Sequence, residues 1–226
     1  AQQVRRDGLP GLAGGAAGRR PGWAGLLPEM LRAQGYRCYH SGKWHVDGPV
    51  LAGGFDHSYS LNDHNRCFSP QQHELDDRRL PPVEPGSGYY VTMAIAQRAI
   101  DMLAEHRKDH GAEPLFLYLA FTSPHFPLHA LPQDIAVYRD RYRQGWDVIR
   151  RERYQRLKKL GIVDCDLPPW EPGVVPSWNL SEEKLRAEIG PGEAGRAVAW
   201  NQLTAEQQQF QAAKMAVHAA MVHRMD

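Results

Sequence analysis

The sequence is poor in cysteine, and the cysteines it has are not arranged as a site. Its 226 residues include 3 cysteines, Cys38, Cys67 and Cys165, and no two of them form a C-x-x-C pair. This spacing excludes a zinc ribbon and a thioredoxin-type redox motif. The odd number argues against a framework of disulfides. It does not exclude a single disulfide, and it does not determine the cellular compartment.

The sequence also lacks an excess of charge and a long apolar run. Lys and Arg number 27 and Asp and Glu number 26, so the formal net charge is +1. A nearly neutral chain gives no electrostatic reason to expect a nucleic-acid partner. No run of about 18 apolar residues is present, and we therefore predict no membrane span. The densest basic stretch, 150–159, is interrupted by Glu152, which predicts one solvated helix face.

Common catalytic signatures are missing as well. The sequence contains no H-E-x-x-H, no P-loop, no G-x-S-x-G and no dinucleotide-binding fingerprint. The first residues lack the apolar segment of a signal peptide. Residues 1–22 are instead rich in Gly, Ala, Arg and Pro without periodicity, which predicts a flexible segment.

What is present is a globular α/β pattern, with 42% hydrophobic residues. Apolar residues at helical spacing between Leu26 and Leu31 predict a short helix, which Gly35 would cap, and a strand follows at 36–41. A second helix is predicted at 89–107, followed by an apolar strand, "LFLYLA". The apolar face of that helix is predicted to consist of Met93, Ala96, Ile100 and Leu103.

The apolar strand has side chains suited to burial on both faces, which predicts a central strand between two layers of helices. A helix followed by a strand, occurring twice, favours an α/β layered domain. The segments 48–88 and 162–202 are predicted to be irregular, and 134–161 to be helical and polar. A capping box at Thr204 and Gln207 predicts a final helix. Its predicted apolar stripe consists of Phe210, Ala213, Val217 and Met221.

Cationic and imidazole groups follow both predicted strands. Lys43 and His45 come after the first strand, and His125 and His129 come after the second. Ligands of open α/β sheets bind outside the carboxyl ends of strands, so these groups are candidates for one shared crevice. A lysine and proton-transferring histidines suit an anionic, tetrahedral, oxygen-rich substrate group.

An ordinary structural interpretation stays open beside this one. Lys43 can be exposed with its stem lying on the indole of Trp44. The chain has 11 histidines, so several near strand ends are expected by chance. No functional role is assigned to the following histidines: His40, His57, His64, His73, His218 and His223.

Four segments, in order over residues 23–226, resemble the sulfatase family. "LLPEMLRAQGYRCYHSGKWHVDG" is similar to the family signature in which a helix leads to G-Y-x-x-x-x-x-G-K-W-H. "GGFDHSY", at 53–59, resembles the G-F-D segment that follows this signature. "FTSPHFPLHA" matches the family's strand ending in P-H-x-P, and "AAMVHRMD" resembles the start of a later family helix.

The resemblance implies an alkaline-phosphatase-like α/β domain, with a central, mostly parallel sheet and helices on both faces. Sulfatases use a formylglycine, made from Cys or Ser in C/S-x-P/A-x-R, beside a calcium ion. Carried over, Lys43 would contact the sulfate and the formylglycine. His45 would bond the formylglycine hydroxyl and act as base, and His125 would bind sulfate and assist protonation of the leaving oxygen. His129 matches no family role.

The chain departs from the family pattern in what it lacks. No formylglycine motif precedes Gly35, and Cys67 has neither the required Pro nor the required Arg. The acidic calcium ligands expected near the N-terminus are absent, and a later Asp-Asn pair would follow Asp226. We therefore expect 23–226 to be a partial, inactive catalytic domain truncated at both ends. Calcium and formylglycine are expected in the full-length protein, which would be periplasmic or secreted if its N-terminus carries a signal peptide.

Three functions are consistent with these features. The first is a sulfuric ester hydrolase that, when complete, converts a small-molecule or carbohydrate sulfate ester to alcohol and sulfate. The second is a phosphomonoesterase or phosphodiesterase of the same superfamily, although the Trp44-His45 pair favours the sulfatase. The third is a non-catalytic anion- or glycan-binding protein. Neither the individual ester nor the oligomeric state follows from the sequence.

Overall fold

A computed structural model describes residues 23–63, 65–171 and 180–226. They form two compact units, of which the first ends at Pro127 and the second spans Leu128–Arg224. The predicted flexible segment 1–22, His64 and part of the 162–202 segment lie outside the described residues.

The first unit is an α/β layer built on a five-stranded sheet with the strand order β4-β3-β2-β1-β5. Strand β1 is parallel to both of its neighbours, β2 and β5, whereas β3 and β4 add as an antiparallel hairpin. The elements are α1 (Leu27–Arg32), β1 (Arg37–Lys43), β2 (His57–Leu61), β3 (His73–Leu75), β4 (Arg78–Arg79), α2 (Val91–Asp109) and β5 (Leu115–Ala120). The predicted α/β class is thus confirmed.

Strand β1 lies between two helices because its side chains alternate between the faces of the sheet. On one face the Cys38 thiol donates to the Pro28 carbonyl of α1 over 3.7 Å. On the other the Ser41 hydroxyl donates to the Ile95 carbonyl of α2 over 2.7 Å. Helices therefore cover both faces of the sheet at β1, as the resemblance implies.

The segment 48–88 is not irregular throughout, which corrects the prediction. It contains β2, β3, β4 and a short 3-10 turn, Leu51–Gly53. The strands are short, and β3 is joined to β4 through Asp76 and Asp77, whose φ angles are 51° and 58°. Side-chain oxygens hold this turn in place, since Asp76 Oδ1 accepts from the Ser58 amide over 2.8 Å. Their many Asp and Gly neighbours hide such short strands from a pattern search.

The prediction that the apolar strand is central is wrong for the described residues. Strand β5 is the edge of their sheet, and its outer side pairs with no described strand. Leu115, Tyr118 and Leu119 are 40%, 44% and 39% exposed. The side chains suit burial on both faces, but the described residues supply only part of the cover.

The predicted apolar face of α2 is also wrong. Met93 and Ile100 are 51% and 57% exposed. The helix instead buries the face that contains Thr92, Ile95, Ala99, Met102 and His106. Two polar members of that face make buried bonds, including one of 3.0 Å between His106 Nδ1 and the Tyr39 hydroxyl. A search for apolar periodicity passes over such residues, because they look solvent-facing.

The second unit is helical, and the segment predicted to be helical and polar contains two helices. Its elements are α3 (Pro132–Tyr138), α4 (Trp146–Lys159), α5 (Glu182–Glu188), a 3-10 turn (Trp200–Gln202) and α6 (Ala205–Met225). The break comes at Gly145, whose φ is +87° and whose Cβ would lie 2.3 Å from the Trp200 ring. No residue of α4 is buried, which confirms the predicted solvated helix face.

Helix α6 begins with the predicted capping box but buries a different face. The Gln207 amide donates to Thr204 Oγ1 over 3.2 Å, and the Thr204 amide donates to Gln207 Oε1 over 3.0 Å. Of the predicted stripe only Met221 is buried. Gln211 is buried, and its side-chain amide donates to Glu193 over 2.9 Å. A search for apolar residues therefore misses the buried face of this helix as well. The buried positions are Gln211, Ala212, Ala216, Ala220 and Met221.

We expect Asp134→Ala to lower the free energy of unfolding by about 2 kcal/mol, because it removes a buried carboxylate that accepts two bonds from the Arg224 guanidinium. Asp134 is 6% exposed and accepts from Arg224 Nε over 2.8 Å. Urea denaturation measures the loss. The control Asp140→Ala breaks an ion pair with Arg143 in which both side chains are at least 71% exposed, and about 0.5 kcal/mol or less is expected. Equal losses in the two variants would contradict the prediction.

Candidate active site

The candidate site lies where β1 and β5 end side by side. The two strands are parallel, with Gly42 opposite Ala120, so both strands carry the chain to the same edge of the sheet. Gly42 has φ +126°, and a Cβ on it would lie 1.9 Å from the Ala120 carbonyl oxygen. Only glycine fits this close approach of two backbones. The glycine of the G-K-W-H motif therefore sets the position from which Lys43 leaves the strand.

A tight turn follows Lys43 and is fixed by Trp44. The Trp44 indole donates from Nε1 to the Gly48 carbonyl over 3.0 Å, and its ring meets Phe55 edge to face at 5.8 Å. Lys43 is half-buried, whereas the ordinary interpretation expected it to be exposed, and His45 is exposed just beyond it. Lys43 and His45 are thus two residues apart on a backbone that the Trp44 bond anchors.

Beneath this turn lies His40, which sequence reasoning passed over. Its ring is completely buried among Trp44, Phe55 and Tyr118, with ring centroids 5.5–5.6 Å away. Its Nε2 lies 3.4 Å from the Lys43 carbonyl oxygen. Burial lowers the pKa of His40 to about 4, against a weaker opposing effect of that carbonyl and of Asp77. The ring is therefore neutral near pH 7, and it donates to the backbone of the lysine.

His125 lies in the loop that leaves β5. The loop is tied to α2 by a buried 3.0 Å bond between the hydroxyls of Thr92 and Ser123. It is tightened by the His125 amide, which donates to the Thr122 carbonyl over 3.0 Å. The exposed His125 ring bonds through Nδ1 to the Phe126 carbonyl. Because a carbonyl only accepts, Nδ1 is the donor in this bond.

The structure thus puts three of the four predicted groups in the first unit, Lys43, His45 and His125. They lie at or beyond the ends of two neighbouring parallel strands. His129 belongs to the second unit and is half-buried. Chemically, the three groups of the first unit offer one fixed positive charge and two imidazoles. That set can neutralise an oxyanion and move protons near neutral pH.

The described residues do not fit the calcium ion and formylglycine of the resemblance. In the ranges that the structure describes, no cluster of three or more His, Cys, Asp or Glu could hold a metal ion. Cys67 is buried, and burial raises its pKa to about 11, so it stays a thiol. We therefore derive no chemical step through a metal or a formylglycine on these residues.

Among the described helices, none has the length and apolar character that crossing a bilayer requires.

Comparison with known proteins decides the family. The family model described as Sulfatase matches residues 10–226. The chain belongs to the sulfatase family. The resemblance of the four sequence segments is thereby confirmed, and the G-K-W-H and P-H-x-P motifs of this sulfatase chain are the ones at the ends of β1 and β5.

Curated relatives are sulfatases as well. This sulfatase chain is 30% identical over 234 residues to an uncharacterized sulfatase of Schizosaccharomyces pombe, and the match covers 92% of the chain and 38% of the relative. It is 30% identical over 213 residues to an arylsulfatase of Klebsiella aerogenes, and that match covers 88% of the chain and 40% of the relative. The chain spans about two fifths of the length of these relatives.

A solved structure shares the fold. It is a protein in complex with its substrate D-glucosamine-2-N,6-O-disulfate, matched with a TM-score of 0.51 at 15% identity over 92% of this chain and 45% of that one. At this identity the likeness concerns the fold alone. It agrees with the predicted alkaline-phosphatase-like architecture of a mixed α/β domain.

Proposed function

We propose that this chain forms part of the catalytic domain of a sulfate ester hydrolase and supplies the cationic and imidazole side of its site. The observation that carries the proposal is the parallel pairing of β1 with β5 at Gly42 and Ala120. Through it the two strand-end motifs, which are far apart in sequence, leave the same edge of one sheet. A site for a tetrahedral anion needs such convergence, because the groups that contact it come from separate loops.

Each of the three groups has a role that its surroundings support. The Lys43 ammonium binds a sulfate oxygen and offsets its charge, and the fixed turn at Trp44 limits how far it moves. His45, exposed just beyond that turn, would accept a proton from a formylglycine hydroxyl held beside it. His125 holds the sulfate near the leaving oxygen and protonates that oxygen from Nε2, since Nδ1 is bonded to Phe126.

The nucleophile and the metal are proposed to come from residues outside this sequence. The family uses formylglycine and calcium, and the described residues fit neither. A bound divalent ion offsets several kcal/mol of developing charge, which one lysine cannot replace. Residues 23–226 are accordingly proposed to be a partial domain that is inactive by itself.

The proposed substrate is a small-molecule or carbohydrate sulfate ester. Both kinds have a precedent among the similar proteins, one of which is an arylsulfatase and one of which was solved with a disulfated glucosamine. No nucleic-acid partner is proposed, because the chain is nearly neutral overall.

Turnover of an aryl sulfate and an aryl phosphate by the full-length gene product tests the function. We expect the sulfate to be the better substrate, and Lys43→Ala to reduce kcat/KM at least about 100-fold because it removes charge from the oxyanion. The matched control is Lys108→Ala, which removes an amine that is 82% exposed on α2 and should leave kcat/KM unchanged. Residues 1–226 alone should show no turnover above background.

Other results would select the alternatives. A higher kcat/KM for the phosphate would make the protein a phosphatase of the same superfamily. Binding of sulfated ligands without turnover by the full-length product would indicate a non-catalytic anion- or glycan-binding protein. Formylglycine-dependent turnover by residues 1–226 alone would refute the proposed partial site.

A further inference from the structure

A groove in the second unit has a lining distinct from the residues of the candidate active site. It has a volume of about 550 Å³ and lies between α3, the turn before α4, the Trp200 turn and α6. This volume is within the range of small-molecule sites. The side chains that matter for its chemistry are Arg139, Arg143, Trp200, Gln208 and Ala213. None of them belongs to the candidate active site.

The groove is cationic. Arg139 and Arg143 line it, and no carboxylate does among the described residues. Arg143 meets Asp140 at 3.0 Å, but both side chains are more than two-thirds exposed, so water screens that pair. Arg139 makes no ion pair within the part of the chain that the structure describes. Guanidinium groups in such a position bind sulfate and phosphate oxygens through paired N–H donors.

One wall of the groove is an immobilised aromatic ring. The Trp200 amide donates to Asp147 over 3.0 Å, and the Trp200 carbonyl accepts from Gln208 over 3.1 Å. The indole meets the Trp146 ring edge to face at 4.9 Å and packs where Gly145 has no Cβ. A rigid ring with a polar amide beside it suits a ligand that has an apolar face and hydroxyl groups.

Small side chains make up much of the lining that α6 supplies. Ala205, Ala212, Ala213 and Ala216 of α6 line the groove. Alanine leaves the space open and offers no competing charge. The indole and the guanidinium groups line the same groove and are thus available to one ligand.

We propose that this groove binds a sulfated sugar, with the sulfate on Arg139 and Arg143 and the sugar ring against Trp200. The choice of sulfate over other anionic groups rests on the proposed function. The binding itself does not, because it uses no residue of the candidate active site. The groove would give the protein a second contact with a sulfated glycan, independent of catalysis.

Titration of the isotope-labelled chain, followed through the Trp200 indole signal by NMR, tests this proposal. The probes are N-acetylglucosamine 6-sulfate, N-acetylglucosamine and sodium sulfate. We expect the sulfated sugar to bind most tightly of the three. Arg139→Gln and Arg143→Gln should each weaken it roughly tenfold, which is the value of a charge-assisted contact. Ala213→Glu, at an exposed position, should weaken it further by filling the groove with negative charge.

The controls separate the groove from the candidate active site. Arg153→Gln, on the solvated face of α4, should leave the affinity unchanged. Lys43→Ala should also leave it unchanged, even if the full-length protein proves to lack sulfatase activity. Equal affinity for the unsulfated sugar, or for sodium sulfate alone, would overturn the proposal. So would loss of the Trp200 response in Lys43→Ala with no effect of the arginine variants.

Discussion

Gly42→Ala is expected to lower the free energy of unfolding by more than about 4 kcal/mol and to leave little soluble protein. The added Cβ would stand 1.9 Å from the Ala120 oxygen and 2.6 Å from its carbonyl carbon. Neither backbone atom can move away without separating β1 from β5. The φ of +126° adds strain, since side-chain-bearing residues rarely adopt it. Chemical denaturation with circular dichroism measures the loss.

Gly48→Ala is the matched control for this change. Gly48 also has a positive φ, +86°, but nothing lies within 4 Å of the place of its Cβ. The only cost is then the strain of an alanine at a positive φ, which lowers the free energy of unfolding by about 1 kcal/mol. If Gly42→Ala were no more destabilising than Gly48→Ala, the two strands would not approach as closely as described. The convergence of the two motifs would then lose its structural basis.

Acid is expected to destabilise the first unit through His40. The pKa of this buried ring is about 4 in the folded chain and 6.5 for an ordinary histidine, so the unfolded chain binds the proton more readily between these values. Stability is then full above pH 6.5 and falls as the pH drops toward 4, by about 3 kcal/mol in total. Urea denaturation at a series of pH values measures this slope.

His40→Phe should remove most of that slope, because phenylalanine fills the aromatic pocket without titrating. His218→Gln, at an exposed position of α6, should keep the slope of the unchanged protein. A slope between pH 6.5 and 4 that survives in His40→Phe would show that other groups cause it. His40→Phe also removes the bond that the His40 ring donates to the Lys43 carbonyl at the candidate active site.

The sequence predicts the parts of the fold that rest on strong local signals. The capping box at Thr204, the solvated helix α4 and the strand before Lys43 all have such signals, and the structure confirms them. The order of the four family segments predicts the architecture, which the similar fold supports. The assignment of Lys43, His45 and His125 to an active site remains a prediction. The parallel pairing of β1 with β5 is consistent with it.

The errors have a common physical cause, which is that burial depends on tertiary partners. His106 and Gln211 look polar in sequence, yet each is buried because it bonds to a partner distant in the chain. His40 is hidden for the same reason, since only the folded unit surrounds it with aromatic rings. The opposite error concerns β5, whose apolar side chains are partly exposed because its outer edge is unpaired among the described strands. Local periodicity records the side chains but not what covers them.

A crystal structure of the full-length gene product with a non-hydrolysable sulfate ester analogue would locate the sulfate group relative to these three side chains. We expect sulfate oxygens within hydrogen-bond distance of Lys43 Nζ and His125 Nε2, with His45 facing the nucleophile. A sulfate group bound elsewhere, with Lys43 and His125 directed away from it, would refute the proposed site.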